Sequence, residues 1–105
     1  HLAGNFTSRW TDFLTTDGEK PNRNRDGEFE LTENDSKSSV IEAWEKGWLI
    51  LFNAIESLTP NDLSREVTIR GEKLTAQQAI LRALNHIAYH TGQILYLVRW
   101  VKPDS

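Results

Sequence analysis

The clearest pattern of apolar and polar positions in the chain runs from residue 76 to residue 101. Its apolar positions form a seam in which successive members are separated by four and three residues in turn. This heptad-like spacing is the one that helices use to pack on one another. The seam positions are Ile80, Leu84, Ile87, Thr91, Ile94, Val98 and Val101. Thr75 and Gln78 precede the seam with the spacing of a capping box, and Pro103 follows it. The pattern predicts a long helix from about Ala76 to Val101.

Residues 1 to about 15 carry another apolar stripe at helical spacing. Its members are Leu2, Phe6, Trp10, Phe13 and Leu14. The stripe predicts a helix that ends within residues 15–18, where Gly18 is suited to a left-handed cap. No start signal precedes the stripe, so we expect it to be the tail of a longer helix.

A helix is also predicted in the middle of the chain, from about Ser36 or Ser39 to Leu58. Ser39 and Glu42 have the spacing of a capping box. The apolar stripe of this helix consists of Ile41, Trp44, Trp48, Leu51, Phe52, Ile55 and Leu58. Gly47 interrupts it, and we expect this glycine to let a neighbouring helix approach closely.

The segments between the predicted helices are of two kinds. Residues 18–36 are polar, with clustered charges of both signs, and predict a loop that Phe29 and Leu31 pin to a core. Residues 66–74 alternate apolar and polar with Gly71 at the bend, which predicts a small hairpin or an extended loop. Two strands alone are marginally stable, so this segment must pack on the helices.

Composition and charge exclude several classes of partner. A chain of 105 residues with a net charge of −3 has the size of one domain and no concentrated basic face for nucleic acid. It has no cysteine, which excludes disulfides and thiolate metal sites. No apolar run has the length of a membrane span, and nothing resembles a signal peptide. We expect a cytoplasmic protein that acts on a small-molecule substrate and uses neither nucleic acid nor a membrane as partner.

The three histidines are the candidate chemistry of the chain. His86 and His90 lie four residues apart, so they are neighbours on one face of the last helix, beside the small side chains of Ala79 and Ala83. The third histidine is His1. Three neutral imidazoles leave an open position on a divalent ion, as in catalytic zinc sites. Zinc or nickel is the expected metal, although iron, copper and cobalt also accept imidazole.

A polar stripe on the first helix matches the histidine face. His1, Asn5, Ser8 and Asp12 are spaced by four, three and four residues. Because a metal-bound histidine donates its second N–H to an outer partner, Asn5, Asp12 and Gln93 are candidates for that role. Both features also have ordinary explanations, since paired histidines occur on surfaces and in cores, and a polar stripe often faces solvent.

No catalytic side chain can be assigned from motifs. The sequence contains no HExxH, no glycine-rich phosphate loop and no nucleophile elbow. A metalloprotease with its glutamate base in that motif is therefore not indicated.

The start of the sequence suggests that helical residues precede it. Translated chains begin with methionine, whereas this sequence begins with His1 and contains no methionine. Three helices are visible in the pattern, and an up-down bundle usually closes with four. We expect one further helix upstream, so that residues 1–105 form a single, N-terminally truncated domain.

Several stretches together resemble a known family. They are residues 1–13 (HLAGNFTSRWTDF), 15–20 (TTDGEK), 23–26 (RNRD), 66–72 (EVTIRGE) and 86–94 (HIAYHTGQI). In combination they resemble the DinB-like superfamily, in particular a branch of uncharacterised bacterial proteins. The resemblance extends over nearly the whole chain and does not depend on HxxxH alone.

The resemblance implies an all-α fold, an up-down bundle of the DinB-like four-helix type. Three helices are in this chain, the first helix of the family is missing, and a small hairpin or extended loop precedes the last helix. It implies a metal held by a histidine on the second helix of the family and an HxxxH pair on the fourth, at the positions of His1, His86 and His90. Some members are S-transferases that use bacillithiol or mycothiol, and homodimers are common.

Three functional hypotheses follow. In the first, the protein is a metal-dependent thiol S-transferase that joins a low-molecular-weight thiol to an electrophilic small molecule, with Arg9, Arg23 and Arg25 as candidates for gripping an anionic cofactor. In the second, it is a non-catalytic, metal-binding or stress-related bundle. The third takes His1 as an amino-terminal copper chelate of the kind found in copper monooxygenases, which resemble β-sandwiches and not helical chains.

Overall fold

The computed structural model describes residues 1–104 and is mostly helical. Its elements are α1 (Leu2–Trp10), α2 (Lys37–Glu56), β1 (Glu66–Ile69), β2 (Glu72–Thr75) and α3 (Ala76–Val101). Two short 3-10 turns, Asp26–Phe29 and Pro60–Ser64, lie in the connections. The all-α prediction therefore holds for the helices, and the segment before α3 is a true two-stranded hairpin.

Helix α3 begins and ends where the sequence predicts. The backbone N–H of Gln78 donates to the Thr75 hydroxyl over 3.1 Å, and the backbone N–H of Thr75 donates to the Gln78 side chain over 2.8 Å. This capping box satisfies two of the donors that a helix start leaves unpaired. The helix ends at Val101, two residues before Pro103.

Helix α2 begins at the earlier of the two predicted positions, and its capping box is different from the predicted one. Ser36 is the cap, its hydroxyl accepts the Ser39 N–H over 3.1 Å, and the Ser39 hydroxyl accepts the Ser36 N–H over 2.8 Å. The predicted pair of Ser39 and Glu42 is wrong because Ser39 already lies inside the first turn. Glu42 instead forms a surface ion pair with Lys46.

Helix α1 is shorter than predicted. It ends at Trp10, and Asp12 has a left-handed backbone (φ 49°) that ends the helical path. The N–H groups of Thr15 and Thr16 then bond the Asp12 carbonyl. Gly18 does not provide the predicted left-handed cap, and its N–H donates to the Thr68 carbonyl on β1 over 2.8 Å.

Close approach of α1 to α2 depends on Gly47, as the sequence predicts. A Cβ atom added to Gly47 would lie 2.8 Å from the Cα atom of Ala3. That is closer than real Cβ contacts allow, so only glycine permits this separation of the two helices.

The hairpin carries a two-residue turn and is tied to the segment after α1. Arg70 (φ 53°) and Gly71 (φ 76°) both have positive φ, as in type I′ turns. The Asp17 carboxylate accepts the backbone N–H groups of Glu19, Gly71 and Arg70 at 2.7, 2.9 and 2.8 Å. These hydrogen bonds lower the pKa of Asp17, and the bond from the Glu19 N–H has the largest effect. The turn is thereby fixed close to α1.

The core lies where α1 meets α2, the hairpin and the first half of α3. Its buried members are Leu2, Phe6, Trp10, Phe13, Leu51, Val67, Ile69, Ala76, Ala79 and Ala83. The predicted anchors of the long loop are not among them, because Leu31 is 84% exposed and Phe29 is 58% exposed. Beyond Ile87 the apolar seam of α3 is exposed. Among the described residues, no helix combines the length and apolar character needed to cross a membrane.

Candidate metal centre

The three histidines meet between the start of α1 and the middle of α3. His1 is the residue just before α1, and His86 and His90 lie on the face of α3 that points toward it. The ring centroids are 5.1 Å apart for His1 and His86, 4.9 Å for His1 and His90, and 4.6 Å for His86 and His90. One ring nitrogen of each histidine lies within 4.8 Å of the others. The cluster can hold a metal ion.

One pair of these nitrogens has the spacing of ligands on a divalent ion such as zinc. The Nε2 atoms of His1 and His86 are 3.1 Å apart. Two imidazole ligands on a tetrahedral zinc ion, with bonds of about 2.0–2.1 Å, place their nitrogens about 3.3 Å apart. In neutral rings that are protonated on Nδ1, both Nε2 atoms offer lone pairs to the space between them, which disfavours this contact unless a proton or a cation lies there.

Glu28 holds the ring of His1. Its Oε1 atom lies 2.9 Å from Nδ1 of His1, and Arg23 donates to both carboxylate oxygens at 2.9 Å. With its proton on Nδ1, His1 donates to Glu28 and leaves Nε2 free for a metal. Gly4 makes room for this contact, since a Cβ atom added there would collide with the Glu28 carboxylate.

Gln93 plays the corresponding part for His90. Its Oε1 atom lies 2.7 Å from Nδ1 of His90, one turn away on α3. With its Nδ1 bonded to Gln93, His90 has Nε2 left as the nitrogen for a metal. His86 differs, because its Nδ1 atom is buried and has no hydrogen-bond partner among residues 1–104.

His86 is held in the neutral form that a metal requires. Burial lowers its pKa to about 4, helped by repulsion from His90 and from Arg9. Arg23 and Arg25 act in the same direction. At neutral pH the ring therefore carries no positive charge, and one nitrogen offers a lone pair.

The other predicted outer partners have different positions. Asn5 is buried and lines the pocket beside His1 and His86. Asp12 is exposed, lies beyond the end of α1 and borders a separate depression. The prediction for Asp12 fails because the helix ends at Trp10, so the stripe of His1, Asn5 and Ser8 does not continue.

A pocket of about 240 Å³ opens beside the histidines. Its walls are His1, Asn5, Ile69, His86 and five arginines, namely Arg9, Arg23, Arg25, Arg70 and Arg82. The three arginines predicted to grip an anion are thus together in one pocket, next to two of the three histidines.

Three of these arginines have carboxylate partners. Arg23 and Arg70 both pair with Glu19, at 2.9 and 2.6 Å. Arg82 pairs with Glu72 at 3.2 Å. These ion pairs connect the loop after α1 to the hairpin, and the hairpin to α3.

A larger cavity, of about 650 Å³, is lined by Glu28 and, like the smaller pocket, by Arg23. It is formed by α1, α2 and the loop around residues 20–28, and none of the histidines lines it. Two of the candidate metal ligands, His1 and His86, line the smaller pocket instead.

This region also contains Glu28, Arg70 and Arg82, none of which was predicted from the sequence. Glu28 belongs to the short 3-10 turn within the loop after α1, and no periodicity relates it to His1. Arg70 reaches the pocket only through the hairpin turn. Arg82 did have a signal, because it precedes His86 by four residues and so shares its face of α3.

Together these features define a class: a mostly helical protein with a three-histidine cluster between helices and a cationic pocket beside it. The chain belongs to the family described as "Protein of unknown function (DUF1572)", which it matches over residues 1–105. No match was found among curated proteins or among solved structures.

Proposed function

We propose that the protein binds one divalent metal ion through His1, His86 and His90 and uses it to transfer a small thiol to an electrophilic small molecule. The observation that carries the proposal is the orientation of the rings. Two of them have an outer partner at Nδ1, Glu28 for His1 and Gln93 for His90, which leaves Nε2 of each ring for a metal.

The proposed reaction joins the thiol R–SH and the electrophile R′–X. The sulfur–carbon bond forms as the carbon–X bond breaks, X leaves with the bonding electron pair, and the thiol proton goes to solvent. A divalent ion on three imidazoles supplies Lewis acidity at an open position, where it lowers the pKa of a bound thiol.

The residues of the chain have separate tasks in this proposal. His1, His86 and His90 bind the metal, and Glu28 and Gln93 hold two of the rings. Asn5 and the arginines of the adjoining pocket position the substrate. Zinc or nickel suits three neutral nitrogen ligands.

We further propose that α1, α2 and α3 are three helices of an up-down, four-helix bundle of the DinB-like type. Support comes from the close α1–α2 contact at Gly47 and from the meeting of α1 with α3 at the histidines. The apolar stripes of α2 and α3 remain partly exposed, which is what a bundle with one helix position unfilled presents.

Metal content tests the metal centre. The purified protein is loaded with zinc or nickel, desalted and analysed for metal, alongside His86→Ala, His90→Ala and the control Asn85→Ala, an exposed neighbour on the same helix. We expect about one ion per chain in the parent protein and in the control, and loss of the ion in both histidine variants. Equal metal content in His86→Ala and Asn85→Ala would contradict the proposal.

Turnover tests the activity. Cysteine and monochlorobimane are mixed with metal-loaded or metal-free protein, and the fluorescence of the thioether product is followed. The proposal expects acceleration by the loaded parent protein only. Metal binding without acceleration for this or other thiols would favour the non-catalytic, metal-binding hypothesis.

A further inference from the structure

Five of the seven arginines in the chain line the 240 Å³ pocket beside the histidines. They come from four separate parts of the fold: Arg9 from α1, Arg23 and Arg25 from the following loop, Arg70 from the hairpin turn and Arg82 from α3. The chain as a whole has a net charge of −3, so this concentration of positive charge is local.

The pocket has an excess of positive charge. Three carboxylates pair with its arginines, namely Glu19, Glu28 and Glu72. Five guanidinium groups against three carboxylates leave two positive charges. Within residues 1–104, Arg9 and Arg25 form no ion pair.

Among the five arginines, Arg9 gives the strongest indication of an anion-binding site. Its Nε atom is buried and has no hydrogen-bond partner within residues 1–104. Burial lowers the pKa of Arg9, and the nearby charge of Arg23 lowers it further. A buried donor without a partner destabilises the fold, and more so when it is charged. An anion in the pocket would remove this destabilisation and balance the crowded charges.

We propose that this pocket binds the oxyanion of a small ligand, a carboxylate or a phosphate group. The guanidinium fork pairs with both groups through two parallel hydrogen bonds. The volume of about 240 Å³ has room for an anionic group with a few attached atoms.

The position of the pocket relates the anionic ligand to the metal centre. His1 and His86 belong to its walls, so the other end of a ligand anchored there would lie beside the metal centre. This step rests on the proposed function and assigns to it an anionic substrate or cofactor. Arg70 and Arg82, which the sequence did not single out, become binding residues together with Arg9 and Arg25.

Binding to the full chain in its metal-free form tests the proposal, because no metal then competes for the anion. Inorganic phosphate and succinate are titrated separately by calorimetry at low ionic strength. Arg25→Gln removes a guanidinium that has no ion pair and is exposed, so folding is retained. Arg9→Lys removes the buried Nε donor. Arg99→Gln, on α3 outside the pocket, is the matched control.

We expect measurable binding of at least one probe, about tenfold or greater weakening in Arg25→Gln, and no change in Arg99→Gln. The NMR signal of the Arg9 Nε–H group should shift on addition of the bound probe. Binding of phosphate alone identifies a phosphate group as the anion, and binding of succinate alone identifies a carboxylate.

Absence of binding for both probes, or equal weakening in Arg25→Gln and Arg99→Gln, would overturn the inference. If Arg9→Lys does not fold, Arg25→Gln and the Arg9 signal of the parent protein still decide. Metal analysis of a separate portion of each preparation, loaded with zinc and desalted, separates the two proposals. If the protein binds metal normally but binds neither anion, only the assignment of the pocket is refuted. If it binds an anion but takes up no metal under any loading condition, only the metal centre is refuted.

Discussion

Glu28 is the side chain on which the orientation of His1 depends. It accepts from Nδ1 of His1 and is itself held by Arg23, whose side chain is only 4% exposed. Carboxylates in this position fix the tautomer of a ligating histidine and raise its basicity. Glu28 lies in the 3-10 turn Asp26–Phe29, and Arg23 fixes its carboxylate from a second direction.

Replacing Glu28 should therefore weaken metal binding without removing a ligand. We expect Glu28→Gln to reduce the affinity for zinc by about 10–100-fold, because the amide offers only one acceptor to both His1 and Arg23. A competition titration with a chromophoric zinc chelator measures this. The control is Glu30→Gln, an exposed glutamate two residues away. Equal affinities in the two variants would show that Glu28 does not support the metal ligand.

The two helical glycines differ in whether another backbone segment lies close to them. Gly47 in α2 and Gly92 in α3 are both helical glycines, and both lower helix propensity. Their surroundings are opposite. A Cβ atom at Gly47 would meet Ala3, whereas at Gly92 it would have no atom within 4 Å among residues 1–104.

The two glycines should accordingly respond to alanine with opposite signs. Gly92→Ala should raise the free energy of unfolding by about 1 kcal/mol through helix propensity. Gly47→Ala should lower it, because overpacking costs roughly 1–3 kcal/mol and the Ala3 backbone must move. Thermal unfolding measures both effects, because each kcal/mol shifts the melting temperature by about 4–8 °C in a domain of this size. Stabilisation by Gly47→Ala would show that α1 and α2 do not approach as described.

The molecule is more extended than a compact domain of its length. Its radius of gyration is 15.3 Å, against about 13 Å for a compact chain of this size. The cause is α3, whose 26 residues span about 39 Å and whose second half has little packed on it. Seam residues that match the heptad pattern are exposed there, with Ile94 at 45% and Val98 at 41%.

Exposed apolar residues with heptad spacing are suited to another helix with the same pattern, and we predict that the 105-residue chain forms a homodimer through α3. Sedimentation velocity over a range of protein concentrations measures the mass. Ile94→Glu should shift the equilibrium to the monomer, because it places a charge in the apolar seam. Asn85→Glu, on the opposite side of α3, should not. A monomer at every concentration, or an equal effect of both variants, would refute the prediction.

Some features of this protein follow from local sequence alone. The bounds of α3 follow from a capping box and a repeated apolar seam, both of which act within a few residues. The hairpin follows from alternation around Arg70 and Gly71, and the shared face of His86 and His90 follows from helix geometry. The errors were also local: two serines competed for the cap of α2, and α1 ended earlier than its apolar stripe suggested.

The site itself was decided by the tertiary structure. His1 and His86 are 85 residues apart in the chain, and their Nε2 atoms are 3.1 Å apart in the fold. Glu28 and Arg70 come to the site on a loop and on a turn, so no helical or strand period points to them. Sequence patterns report interactions within one element, whereas this site depends on how α1, the long loop, the hairpin and α3 pack together. The sequence therefore determined which face of α3 carries the histidines, and only the packing determined what that face meets.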